Sequence, residues 1–156
     1  MEFHLFHATW VYKVKRKSDR SIERHKARLV ARGFSQKYGV YFDETYSPVA
    51  KLTTVKVLIS LAASKGWRLW QMDVKNAFLY GDLDKEIYME QPPGWIVLIL
   101  SLFVNVRKAL YGLKQAPRAW YGNTAESLLF CGYSLSDADS SILEKVWLWY
   151  AFMLMT

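Results

Sequence analysis

The stretch "TWVYKVKRK" alternates apolar and basic positions, with aromatic and β-branched residues at the apolar ones. "SDRS" supplies turn chemistry, and "IERHKARLVAR" resumes the alternation, so residues 9–32 read as a β-hairpin with one face of Lys and Arg. "GFSQKYGVYFDETYSPVA" is loop, punctuated by Gly and Pro. "TTVKVLISLAASKG" then changes period: a Thr N-cap, apolar Val55, Leu58, Ile59 and Ala62, and a closing Gly66 predict an amphipathic helix. "WRLWQMDV" alternates again and predicts a strand ending near Asp73, with a turn or short helix through "KNAFLYGDL". "EIYME" reads as a short strand before the breaker "QPPG". A second helix follows "VRKALYGLKQ", with Pro117 near its first position and Gly132 past its end, and the tail from Ser141 is strand-like and then apolar. Helices mixed with hairpin-forming strands give an α+β class, and no internal repeat interrupts it.

Composition narrows the possibilities. The 156 residues are 52% hydrophobic and 16% aromatic, enough for a core, which excludes a disordered chain. The single Cys131, beside "SLLF", excludes an internal disulfide framework and fits a reducing compartment or a core position. "MEFHLFHATW" lacks the grammar of a secretory signal. The apolar run Trp95 to Val106 is short of the roughly 20 residues that span a bilayer, so no membrane association is expected and an intracellular location is.

Charge changes the picture more. Residues 13–32 hold Lys13, Lys15, Arg16, Lys17, Arg20, Arg24, Lys26, Arg28 and Arg32 against Asp19 and Glu23, an excess of seven that equals the whole net charge of +7. Such a cluster attracts a polyanion, although a solvated charged hairpin would show the same composition. His4, His7 and His25 have no zinc spacing with Cys or acids. The absence of a G-x-x-x-x-G-K-[ST] loop, of H-E-x-x-H and of G-x-S-x-G argues against P-loop NTPase, metalloprotease and α/β-hydrolase chemistry.

Asp73, an acid at a strand end beside a turn, suits a Mg²⁺ ligand, although a turn cap or an exposed charge is the commoner role of an acid there. Its surroundings point further. "KARLVARGFSQKYGVYFDETYSPVAKLTTVKVLISLAASKGWRLWQMDVKNAFLYGDLDKEIYMEQPPGW", followed by "RKALYGLKQAPRAWY", closely resembles the reverse transcriptase domain in the Pol polyproteins of copia-type LTR retrotransposons, from about Trp10 to Asp139. The resemblance implies a partial right-hand polymerase fold: an N-terminal extension over 1–8, fingers and incomplete palm over 9–140, and a divergent apolar tail over 141–156. It also implies an RNA-directed DNA polymerase acting with Mg²⁺ on an RNA template, a DNA primer and dNTPs.

By position, the resemblance makes Asp73 the metal-binding catalytic acid, with the Val74 carbonyl joining it. Phe78 matches the aromatic that excludes a sugar 2′-hydroxyl, and Gln115 a turn lining the nucleotide pocket. Lys26 and Arg28 fall in the fingers hairpin, where the family places basic side chains on the triphosphate, one or the other serving here, and Lys13, Lys15, Lys17 and Arg32 of the basic cluster are expected toward nucleic acid. Phe78 as a core ring, Gln115 as a turn residue and the cations as a solvated face are the plainer alternatives. So is core packing for Trp67, Trp70, Tyr111, Trp120 and Tyr121, which could otherwise stack bases.

The chain departs from the pattern in two places. The family's second metal-binding element carries two adjacent aspartates after the "SLSDADSSIL" region, yet no two aspartates are adjacent here. Asp137 and Asp139 are nearest by position but sit in what reads as an exposed turn. Second, "WIVLILSLFVNV" is apolar where relatives are more polar, as in a sequence altered by mutation or frameshift. One carboxylate cannot fix two ions in line with a reacting phosphate. The expectation is therefore a fragment, lacking the thumb, connection and RNase H parts, that does not polymerise DNA alone. The alternative is a non-catalytic nucleic-acid-binding remnant acting through the hairpin 13–32.

Overall fold

In the computed structural model, residues 5–92, 94, 103–145 and 148–153 are described, the last six by backbone only. The hairpin forms as its alternation requires: β1 (Ala8–Arg16) pairs antiparallel with β2 (Ile22–Ala31), in register from Ala8↔Ala31 to Lys15↔Arg24. Its turn is closed by Lys17 N–H donating to the Ser21 carbonyl at 2.9 Å. Asp19 accepts both the N–H and the hydroxyl of Ser21, at 2.9 and 2.6 Å, and these bonds hold its carboxyl below the usual range.

Helix α1 (Leu52–Lys65) ends at Gly66 as expected, but its N-cap is Lys51 and no side chain caps it there, so the expected Thr cap does not form. Among its apolar positions Ala62 is buried, Val55 and Leu58 are half-buried, and Ile59 is exposed. Residues 67–76 are the clearest departure. The alternation of "WRLWQMDV" is real, yet the segment is irregular and pairs with no strand among the described residues. A strand needs a ladder partner for its backbone groups, and alternation alone does not supply one. A 3-10 turn (Ala77–Tyr80) follows, as the short-helix reading anticipated.

The strand β3 (Asp82–Glu90) pairs antiparallel with β4 (Phe103–Lys108), so the last third of the apolar run is strand, while its residues 95–102 lie outside the described residues. Phe6 joins this sheet beside Met89. Helix α2 (Ala116–Phe130) carries Pro117 in its first turn, where a missing N–H costs nothing. Cys131 is exposed at its end, contrary to the core reading. The neighbouring "SLLF" misled because Leu129 and Phe130 face outward at the helix terminus, Phe130 being 94% exposed, while Leu128 packs inward against the Trp120 cluster.

The segment after α2 forms a three-stranded sheet in the order β5 (Ser134–Leu135), β6 (Ile142–Lys145), β7 (Leu148–Met153). The expected tail boundary at 140/141 thus falls inside a sheet. The observed α+β mixture packs around two apolar clusters. One joins Phe6, Ala31, Ile87, Met89, Val106 and Leu113; the other joins Trp120, Ala125 and Leu143. Phe78 packs against both.

Candidate nucleic-acid interface

Paired residues of an antiparallel ladder share a face, so the register decides which cations stand together. Lys13 opposes Lys26, Lys15 opposes Arg24, and Val11 opposes Arg28. One face of the ribbon therefore carries Lys13, Lys15, Arg24, Lys26 and Arg28, while the other carries Trp10, Tyr12, Val14, His25, Ala27 and Leu29. Arg24 was not among the expected binding residues; the signal was its parity with Lys26 and Arg28, legible in the alternation, and the register adds that it stands opposite Lys15. Lys17 lies in the turn and Arg32 beyond the strand, where its N–H donates to the His7 carbonyl at 2.9 Å. The crowding has an electrostatic trace: Arg28 above all, then partial desolvation, Arg24 and Lys15, lower the pKa of Lys26 below the usual lysine value.

Opposing this shift is Asp73, whose carboxylate is close enough to Lys26 to favour its charged form. Asp73 lies on an exposed segment within electrostatic reach of Lys26, with Val74 exposed beside it. The Arg28 guanidinium lies 5.6 Å from the centroid of the Tyr111 ring, and Phe78 meets that ring edge-on at 5.0 Å and 77°. Arg28, Tyr111 and Phe78 therefore form one contact series with Tyr111 at its centre, and Lys26, on the same ribbon face as Arg28, feels the charge of Asp73. Phe78 is half-buried, so it is a core ring on one side and accessible on the other.

The ribbon is held to this neighbourhood by a tight joint. Ala31 N–H donates to the Tyr111 carbonyl at 2.7 Å. A Cβ on Gly112, whose φ is +91°, would strike the Ala31 carbonyl oxygen, and one on Gly33 would strike the Gly112 carbonyl oxygen. Beside it, Gln36 Nε2 donates to Gln115 Oε1 at 3.0 Å, Gln36 Oε1 accepts from Lys114 N–H at 2.8 Å, and Gln115 Nε2 donates to the Tyr41 carbonyl at 3.2 Å. Gln115 is buried and its amide is engaged at both ends, so it braces the turn after β4 against the loop that follows β2. It also lines a cleft of about 230 Å³ with Asp43, Glu44, Asp84, Lys85 and Arg118. Both cations there are paired, Lys85 with Asp43 at 2.6 Å and Arg118 with Asp84 at 3.1 Å. That cleft is poorly suited to a polyphosphate; the ribbon face is well suited.

A divalent metal fits poorly. Among the described residues no three His, Cys, Asp or Glu side chains gather to hold an ion. Asp139 Oδ1 accepts from the Ser141 N–H and hydroxyl at 3.0 and 2.7 Å, and its Oδ2 accepts from the Thr54 hydroxyl at 3.0 Å. Those bonds, chiefly from Ser141, hold its carboxyl below the usual range. The turn is less exposed than "SDADSS" suggested: Ser141 is fully buried and Asp139 half-buried, tethering α1 to the turn before β6. Asp73 with the Val74 carbonyl cannot by themselves hold two ions. Of the aromatics, Trp120 is core, whereas Trp70 is 76% exposed.

A family model described as reverse transcriptase (RNA-dependent DNA polymerase) matches residues 3–147. The chain is similar to the Retrovirus-related Pol polyprotein from transposon RE1 of Arabidopsis thaliana, 46% identical over 139 residues, which cover 87% of this chain and 10% of that protein. The corresponding polyprotein from transposon RE2 of the same plant matches with the same identity and coverage. The polyprotein from transposon TNT 1-94 of Nicotiana tabacum is 54% identical over 113 residues, 72% of this chain and 8% of that protein. The chain thus spans about a tenth of the length of these relatives. No solved structure matches. No helix among the described residues is long and apolar enough to cross a membrane.

Proposed function

Because the chain belongs to the reverse transcriptase (RNA-dependent DNA polymerase) family, we propose that it corresponds to the fingers and part of the palm, over residues 9–140, of a Pol polyprotein reverse transcriptase. In this reading it grips nucleic acid without polymerising it. The observation that carries the proposal is the ladder register, which gathers five cations on one ribbon face beside Asp73 and Tyr111. That face suits an RNA template, a DNA primer or the phosphates of a dNTP, with Lys26 and Arg28 nearest the Tyr111–Phe78 pair. Phe78 then stands where a sugar would lie. Catalysis by two Mg²⁺ ions belongs to the complete family pattern; among the described residues the donor set is short of carboxylates, and no step through metal follows from them.

Two measurements test the proposal. If all five cations meet phosphates of a duplex, log K should fall against log[salt] with a slope of roughly −0.9 × 5, about −4.5, or some 500-fold between 50 and 200 mM salt. Binding that ignores salt refutes the ribbon as the interface. On a primed RNA or DNA template with Mg²⁺ or Mn²⁺, the purified chain should show no nucleotide incorporation above background, and clear incorporation refutes the loss of activity.

A further inference from the structure

Tyr111 touches three parts of the molecule at once. Its carbonyl accepts the Ala31 N–H at 2.7 Å, its ring face lies 5.6 Å from the Arg28 guanidinium, and the same ring meets Phe78 edge-on at 5.0 Å. Its backbone is fixed through neighbouring Gly112, which lies against Ala31 and Val30. An aromatic ring held this firmly is a reference surface for whatever packs on it. We propose that Tyr111 is a positioning residue, setting the Arg28 cation and the Phe78 ring at one fixed separation, so that a nucleoside triphosphate held by its phosphates at Arg28 presents its sugar to Phe78.

The assignment rests on the nucleotide reading of Lys26, Arg28 and Phe78 above and deepens it. A guanidinium stacked on a ring face loses its freedom to swing, yet keeps its edge N–H groups for paired hydrogen bonds to phosphate oxygens. A ring met edge-on by another is likewise fixed in tilt, because the pair prefers that arrangement. Both effects come from the one phenyl group. Neither needs the phenolic hydroxyl, so Tyr111→Phe should preserve the arrangement and Tyr111→Leu should not. Discrimination against a 2′-hydroxyl depends on the relative placement of phosphate and sugar, whereas general stability does not.

The test titrates the whole chain, in EDTA, with dATP and separately with ATP, followed by calorimetry or by NMR. Wild type and Tyr111→Phe should bind dATP several-fold tighter than ATP. Tyr111→Leu should bring the two affinities close together. If Tyr111→Leu weakens both nucleotides in proportion and keeps the ratio, Tyr111 is merely structural and the assignment is overturned, while the nucleotide reading survives. A wild type that binds neither nucleotide overturns that reading and the assignment with it, and so does one that binds both equally. Should Tyr111→Leu not melt cooperatively, wild-type NMR decides: dATP should perturb the Arg28 side chain and the Tyr111 and Phe78 rings at a common midpoint. Perturbation of Arg28 alone overturns the proposal.

Discussion

Replacing Gly112 by Ala tests whether the ribbon is fixed to the core or merely near it. At φ +91° an L-residue is strained, and the added Cβ would meet the Ala31 carbonyl oxygen and lie 2.9 Å from Val30 Cγ1. Left-handed backbone costs about 1–2 kcal/mol for a residue with a Cβ, and forcing a methyl into a packed contact costs about 1–3 kcal/mol. The sum, roughly 2–5 kcal/mol, is a large part of an ordinary domain's total of about 5–15 kcal/mol. For a chain of this length it corresponds to a melting shift of roughly 4–20 °C downward. The control is Gly122→Ala, in the interior of α2 with nothing within 4 Å of the new methyl, which should gain about 0.5–1 kcal/mol. Thermal melts by circular dichroism, run on both variants, give opposite signs if the joint is as described. A Gly112→Ala melt within a degree or two of wild type would show that the ribbon does not bear on Ala31 as drawn. The reasoning about the interface would go with it, since Arg28 reaches Tyr111 across this joint.

The remaining expectations concern charge and tethering. Changing Lys13, Lys15, Arg24 and Lys26 to Gln should flatten the salt slope of nucleic-acid binding by about 0.9 for each phosphate no longer neutralised, measured by fluorescence anisotropy. The same changes at Lys17 and Arg32, off the paired ladder, should flatten it less. Lys26 is depressed by its cationic neighbours, so a bound polyanion raises its pKa again and binding takes up a proton. Affinity should then fall as pH rises through the lowered lysine value, and Lys26→Arg should weaken that dependence and move its onset to higher pH. Asp139 works in the opposite range. Its carboxyl is lowered in the folded chain, so its stabilisation is present above the ordinary carboxylate pKa and lost as pH falls through the folded value. Asp139→Asn should loosen α1 at neutral pH, seen as faster amide exchange in residues 52–65 with little change in α2.

What could be read in advance follows from the range over which each interaction acts. The hairpin was legible because alternation, turn chemistry and the clustered cations all lie within twenty-five residues, and α2 because Pro117 and Gly132 mark its ends locally. Residues 67–74 carry an equally good alternating pattern and yet form no strand, and the difference is not propensity. A period of two says which side chains can share a face; it is silent on whether another strand lies within reach to satisfy the backbone. Gln115 makes the same point from the other side. Nothing near it predicts that its amide will be taken up by Gln36, seventy-nine positions earlier, and by the Tyr41 carbonyl. Asp139 likewise reads as a turn acid until Thr54, eighty-five positions earlier, is found against it. The pattern extends to the candidate site. Its cations and their shared face on each strand were visible in the alternation, but which cations of β1 stand opposite which of β2 exists only through the ladder. Their attachment to the core runs through the joint at Gly112, which brings β2 onto Tyr111. An aspartate that could be singled out from fifteen residues of sequence thus depends, for any partner it has, on contacts whose two ends lie tens of positions apart.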